Sequence, residues 1–383
     1  SVQGYFSRWV QFGPGELPSP GRMSSRLAAR RATIIASRLS STEASGSTTS
    51  HPEVILSGIQ PTGVPHLGNY FGAIRPWLKI QTEKPSTPFF LGIADMHAIS
   101  LGPVPADKLR NDVFHMAASL LAAGIDPSTT ILFRMSTIPE ISQLSWILGS
   151  LQTVSKLQRL PQYKDKSGRF ARSGVPLGLL SYPVLQAADV LGFRATQVPV
   201  GADQAQHMNL LTDLALSFNT AWDAEIFPIP KALIAPHARI KSLRAPHQKM
   251  SKSDSSERGR INITDDTDSI VDKCRKAQSD STPEIEYNPG RRTAVANLID
   301  LLAAVRESTP EAVVKDAEGW NTVQLKDALA AETEMLIAPI RDRYENITKD
   351  PEEVYRILRA NEENARATVA VTMKLVMKAV GFR

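Results

Sequence analysis

Between residue 53 and about residue 245, short apolar runs alternate with longer stretches of helical periodicity. Val54 to Ile59 is mostly apolar, holds a β-branched pair and is bounded by turn residues, which predicts a buried strand. Pro61, Thr62 and Gly63 end it, and Pro65 starts the chain again. From Gly68 to Gln81 the apolar residues Tyr70, Phe71, Ile74, Trp77 and Leu78 recur at the spacing of one helix face. Phe89 to Ala94 predicts a second strand running into Asp95-Met96-His97, and Thr130 to Arg134 a third. Asp107 to Ala123 reads as an amphipathic helix stopped by Gly124, and Ile141 to Leu157 as another helix. Gln162 to Gly174 is polar and reads as loop. Ala195 to Val200 predicts a strand entering Gly201-Ala202-Asp203-Gln204, where Asp203 is placed to cap a helix reaching about Phe218. Ala238 to Leu243 is again strand-like. Such βα alternation predicts a parallel sheet with helices on its faces and ligands at the carboxyl ends of its strands.

After Asp254 the pattern changes. Asp265 to Gln278, Arg292 to Arg306, Val323 to Ala338 and Pro351 to Val380 read as helices, with no comparable strand between them. The last is well punctuated, with Asp350 as N-cap, Pro351 at the first helical position, Glu352 and Glu353 in the first turn, and Gly381 after it. The organisation expected is α/β: a parallel sheet domain over residues 53–257, then an all-helical domain over residues 258–383. No internal repeat is visible.

Composition narrows this picture. A chain of 383 residues suits two or three domains, and no apolar run approaches the ~20 residues of a membrane span. One cysteine, Cys274, excludes an intrachain disulfide framework and a cysteine-based zinc site, and it reads as structural. The net charge of +5 is concentrated at one end. Residues 1–52 carry six arginines against two glutamates, whereas the remainder balances 38 basic against 37 acidic residues. Global basicity is therefore no argument for RNA binding. Within residues 1–52, the mixture of arginine, serine and aliphatics from Met23 to Leu39 suits an organellar transit peptide, followed by a flexible linker from Ser40 to Ser50. A disordered basic tail is the plainer alternative, and Met23 is a candidate start.

Two stretches carry candidate chemistry. Strand, small-residue turn and helix start over Leu56 to Tyr70 make a place where an anion meets free backbone N–H groups, flanked by His66 and Asn69. Gly68 lets a flat ring approach the backbone. About 180 residues later comes Lys249-Met250-Ser251-Lys252-Ser253, two lysines three apart that can close on a polyphosphate as mobile point charges. Singly, these are an ordinary βα turn and a solvated basic loop. Together they are a rarer coincidence. A third stretch, Ser181 to Leu191, sets Asp189 among small and apolar residues, where a carboxylate is costly unless something donates to it.

His66-x-Gly68-Asn69 followed by Lys249-Met250-Ser251-Lys252-Ser253 resembles the class I aminoacyl-tRNA synthetases. Ser57-Gly58-Ile59-Gln60-Pro61-Thr62-Gly63 with Gly68-Asn69-Tyr70 is similar to their tryptophanyl-tRNA synthetase family, as are Tyr182-Pro183-Val184-Leu185-Gln186-Ala187-Ala188-Asp189 and Val198-Pro199-Val200-Gly201. The resemblance spans about residues 53 to 383. It implies a Rossmann-like catalytic domain with a dimer-forming insertion at about residues 100–190, and anticodon recognition by the helical domain. It also implies activation of L-tryptophan with ATP and transfer to tRNA(Trp). Catalytic roles would fall to Lys249, Lys252, His66 and Asn69. ATP contacts would come from Gln60, Pro61, Thr62, Gly68, Asn69, Gly201, Ala202, Asp203, Ile240, Lys249, Met250, Ser251, Lys252 and Ser253. Ala202 departs from the family's Gly-Glu-Asp-Gln, which weakens a side-chain role there. Asp189 matches the aspartate that reads the indole nitrogen, with Tyr182, Gln186 and His97 lining the pocket. No metal-ligand motif is visible, so Mg²⁺ is expected to arrive with ATP. A homodimer in the mitochondrial matrix, not membrane-bound, completes the expectation. The rivals are a tyrosyl-tRNA synthetase, a nucleotidylyltransferase, and an organellar RNA-binding or splicing protein on a synthetase scaffold. Lys164 and Lys166 are candidate phosphate contacts, and Lys273, Arg275, Lys276, Arg291 and Arg292 a candidate basic face.

Overall fold

Among the described residues five strands, all parallel, form one sheet in the order β3-β2-β1-β4-β5. The computed structural model describes residues 51–201, 205–234, 240–252 and 256–382. Residues 1–50 of the expected leader and linker (1–52), and the expected contacts Ala202, Asp203 and Ser253, lie outside them. The first strand, β1 (Ile55–Ile59), leads to α1 (Leu67–Asn69), which continues through a π-helical turn (Tyr70–Ile74) into α2 (Arg75–Glu83). The single helix expected here thus carries a π turn. Arg75 N–H donates five residues back to Tyr70 O, and Pro76 has no N–H with which to restore the tighter ladder.

Next come β2 (Phe89–Ile93), α3 (Asp95–Ala98), α4 (Ala106–Ala123) and β3 (Thr130–Arg134). Three helices follow: α5 (Pro139–Gly149), α6 (Val154–Gln158) and α7 (Pro161–Ser167). Ile141 to Leu157 is therefore two helices, because Thr153 starts a new one by accepting Lys156 N–H. The stretch expected as loop, Gln162 to Gly174, is largely α7 and a 3₁₀ turn (Gly168–Phe170). It buries no side chain, so no apolar periodicity announced it. The order then runs α8 (Leu177–Gly192), β4 (Gln197–Val200), α9 (Ala205–Ala221) and β5 (Lys231–Ile234). The strand β5 went unread in the sequence. Its four residues pair with β4 from Gln197↔Lys231 to Val200↔Ile234, and that pairing makes them a strand. Of Ala238 to Leu243, expected as strand-like, residues 238 and 239 lie outside the described residues; among the rest Lys241 forms an isolated antiparallel bridge with Lys249.

Helices α10 (Thr267–Arg275), α11 (Thr293–Arg306), α12 (Pro310–Asp316), α13 (Thr322–Thr348) and α14 (Pro351–Val380) complete the chain. The helix expected to stop at Ala338 continues through Pro339 to Thr348.

Successive residues of a strand face opposite sides, and β1 shows this. Ile55 enters a core with Leu67, Phe71, Trp77, Met116 and Leu120 that continues through Ile261 and Ile270 to Leu298 and Leu325. Leu56 enters the other core, with Phe90, Phe133, Ile141, Val184, Leu191, Leu214 and Phe218. Helix α14 joins both, burying Val354 and Leu358 in the first and Ala365, Val369, Met373 and Val376 in the second. It lies along β3, where Arg134 Nε and Nη2 donate to Glu362 Oε1 and Oε2 at 2.6 and 2.9 Å.

Candidate active site

In a sheet of this order the chain reverses direction between β1 and β4, and the crevice beyond those strands' carboxyl ends is open to a ligand. Ser57 Oγ donates to Pro199 O at 2.9 Å and fixes that edge of the crevice. At the end of β1, Gln60 and Thr62 are exposed and Pro61 is buried. Gly63 has φ +79°, a left-handed turn position that suits glycine. His66 then caps α1 reciprocally: Asn69 N–H donates to His66 Nδ1 at 3.3 Å, and His66 N–H to Asn69 Oδ1 at 3.2 Å. Because Nδ1 accepts, the proton of the neutral ring sits on Nε2 and is available as a donor. Burial, and then the charges of Lys252, Arg260 and Lys249, push His66 down to about 4. The ring is neutral near pH 7. Gly68 leaves no room beside it, since a Cβ there would come within 2.9 Å of His66 Cε1 and 3.5 Å of Met250 Cβ.

The lysine loop lies over this turn. Its two arms are joined by Met250 N–H to Ile240 O at 3.1 Å and Ser242 N–H to Gln248 O at 2.9 Å, with Ile240 and Met250 buried. Asn297, buried on α11, accepts from Lys241 N–H at 3.1 Å and anchors the base of the loop. Lys249 is exposed, and Ser251 half-buried. Lys252 Nζ donates to Thr62 O at 2.5 Å, so the second lysine touches the first βα turn. Burial pushes Lys252 down to about 8, opposed by Asp112. Gly201 ends β4, exposed.

Beyond β2 lies a polar cluster. Tyr182, Gln186 and Asp189 fall at i, i+4 and i+7 on α8, one face of the helix. Asp189 is buried, and His97 Nε2 lies 2.8 Å from its Oδ2, so the donor it needs is already present in the chain. Burial holds Asp189 above the usual carboxylate range, against the pull of His97. Tyr182 OH meets His207 Nε2 at 3.1 Å, and burial pushes the phenol up to about 12. Lys166 lies 5.8 Å from the Tyr182 ring centre, over its face. Gln186 is half-buried. Asp95 accepts from Met96 N–H at 3.0 Å and Ser136 N–H at 2.9 Å, and also from the Ser136 hydroxyl, tying the ends of β2 and β3 together. The sequence reading gave no role to Ser136, His207 and Asn297, whose partners are distant in the chain, nor to Arg260.

Among the described residues no three His, Cys, Asp or Glu side chains form a metal cluster, and no helix is long and apolar enough to cross a membrane. A cavity of about 520 Å³ lies elsewhere, lined by Ile285, Val314, Lys315 and Trp320 among others. The candidate basic face is largely occupied. Lys273, Arg275, Lys276 and Arg292 are ion-paired to Asp265, Asp327, Asp272 and Asp280.

A parallel sheet with flanking helices and two loops meeting at its switch point is a Rossmann-like architecture. Relatives make the class specific. The family model for class I tRNA synthetases (W and Y) matches residues 48–338. The mitochondrial tryptophan–tRNA ligase of Caenorhabditis elegans is 50% identical over 338 residues, covering 88% of this chain and 93% of that protein. The tryptophanyl-tRNA synthetase structure from Mycoplasma pneumoniae has a TM-score of 0.78 at 30% identity, covering 86% of this chain and 98% of that one. The Campylobacter jejuni synthetase, complexed with ADP and tryptophan, has a TM-score of 0.72 at 29% identity over 85% of this chain and 99% of its own. This chain belongs to the class I tRNA synthetases of the W and Y family.

Proposed function

We propose that the chain is a tryptophan–tRNA ligase of mitochondria: it activates L-tryptophan with ATP and transfers it to tRNA(Trp). The observation that carries this reading is the Lys252–Thr62 contact, which brings the lysine loop onto the turn after β1, with His97, on α3 directly after β2, paired to Asp189 of α8. Relatives named for tryptophan support it over the tyrosyl rival. In the first step a tryptophan carboxylate oxygen bonds to the α-phosphorus of ATP. The bond from that phosphorus to the bridging oxygen breaks, and its electron pair leaves with pyrophosphate. The charge growing on the leaving group is what Lys249 and Lys252 neutralise, so catalysis is positioning plus electrostatics. His66 Nε2–H and Asn69 hold the nucleotide at the start of α1, and Gln60 orients the carboxylate. Mg²⁺ arriving with ATP would shield the charge of its phosphates. A terminal ribose hydroxyl of the tRNA then displaces AMP from the adenylate.

Gly201 lies at the ribose, and Pro61, Thr62, Gly68, Ile240, Met250 and Ser251 form walls of the nucleotide site; the sequence motifs add Ala202, Asp203 and Ser253, outside the described residues, as further candidate contacts. Tyr182, Gln186 and His97 surround the indole, whose N–H donates to Asp189. Residues 53–257 form the catalytic unit and residues 258–383 the anticodon-recognising one. Exposed Trp146 and Leu177, at 82% and 75%, support a homodimer through the insertion, and the arginine-rich leader supports import into the matrix. ATP–pyrophosphate exchange across all amino acids tests the reading. Stimulation by tryptophan alone, followed by charging of tRNA(Trp), is expected; stimulation by tyrosine, or no exchange, overturns it. Sedimentation of the Leu177→Glu variant tests the dimer.

A further inference from the structure

Arg260 stands beside the nucleotide turn with part of its hydrogen-bonding capacity unused. Arg260 is extended, and the chain after it lies against the start of α1 before turning at Ile263, held by Leu67 N–H to Ile261 O at 2.8 Å and Ile263 N–H to Pro65 O at 3.0 Å, with His66 and Asn262 bridged antiparallel. Ile261 and Ile263 are fully buried in the core, so by strand alternation Arg260 and Asn262 face the other way. The Arg260 side chain is only 13% exposed, yet among the described residues its one side-chain partner is Glu257, which accepts from Nη2 at 3.0 Å and is itself 88% exposed. Arg260 Nε is buried and has no acceptor among the described residues. A buried guanidinium donor left unpaired is costly, and it marks a place for an acceptor supplied from outside. The charge of Arg260 reaches both His66 and Lys252, disfavouring the protonated form of each. One more positive charge among Lys252, Lys249 and His66 is unfavourable in an empty site and favourable around an anion.

We propose that Arg260 is a further cationic arm of the ATP site, its Nε–H and guanidinium edge bonding a phosphate oxygen, with Glu257 as the exposed carboxylate that holds it when no nucleotide is present. This rests on the ATP site proposed above. Arginine suits the role because its planar fork presents parallel donors to a phosphate, which lysine cannot reproduce.

The test uses the full chain and tryptophan-dependent ATP–pyrophosphate exchange. Arg260→Gln is expected to raise KM for ATP about tenfold, the scale of one lost hydrogen bond to a charged group. Arg260→Lys is expected to raise it less, and KM for tryptophan stays within about twofold in both, since the amino-acid pocket is untouched. Unchanged ATP KM, or equal rises for both substrates, overturns the proposal and leaves Arg260 a structural residue. Should the arginine variants fail to fold, Glu257→Gln decides: freeing the guanidinium lowers KM for ATP, and an unchanged or higher value counts against the proposal. Lys252→Ala separates the two levels. If it too leaves ATP use intact, the nucleotide site is wrongly placed; if it alone impairs ATP use, only the role of Arg260 falls.

Discussion

Lys252 Nζ donates to the backbone oxygen of Thr62 at 2.5 Å, joining two loops 190 residues apart in the chain. The ammonium is thereby held at the turn where the first strand hands over to the first helix, partly out of water.

Removing that charge in Lys252→Ala is expected to slow adenylate formation by about a hundredfold, as for loss of one preorganised stabilising group. Tryptophan affinity stays unchanged. Pyrophosphate exchange and equilibrium binding of tryptophan measure the two separately, and an equal loss of both would make the loop structural.

The same lysine gives a pH signature. Burial pushes Lys252 down to about 8, so in the free protein the charged form fades as pH rises through that value. The kcat/KM for ATP is expected to fall above about pH 8, whereas kcat persists to higher pH because bound phosphates favour the ammonium. Lys252→Arg removes the limb.

His66 should govern acid stability. Its folded-state pKa, about 4, lies below the ordinary histidine value of 6.5, so the unfolded chain binds the proton more readily. Stability is then lost as pH falls from about 6.5 to about 4, by about 3 kcal/mol for this group. Denaturant midpoints at pH 7 and pH 4.5 check it, and His66→Asn is expected to narrow the gap between them.

Asp189→Ala leaves the His97 donor without its buried partner. It is expected to raise KM for tryptophan about tenfold to a hundredfold with KM for ATP little changed, the cost of an unsatisfied buried group. An analogue lacking the indole N–H should bind wild type poorly and distinguish the variant little.

At the end of β3, Arg134 is 26% and its partner Glu362 9% exposed at the side chain. Glu362→Ala strands the guanidinium and is expected to cost about 3 kcal/mol of stability, read as a lower melting temperature. Glu362→Gln should recover part of it.

Where local chemistry decides, the sequence was legible. Thr130–Arg134 and Pro351–Val380 have the bounds that alternation and capping predict, and Asp350 accepts Glu353 N–H as an N-cap should. A four-residue strand such as β5 has too few residues for a period, and α7 has no apolar face to show one.

By itself the sequence determined the βα alternation, the helical C-terminal region and the residue types able to meet a polyphosphate and an amino acid. Those follow from periodicity, turn chemistry and charge, each readable within about a dozen residues. Tertiary structure alone decided the pairings: His97 with Asp189 across 92 positions, and Arg134 with Glu362 across 228. It also decided that Arg260 Nε has no acceptor among the described residues. A buried polar group takes the partner that packing brings to it, and no local propensity encodes that partner.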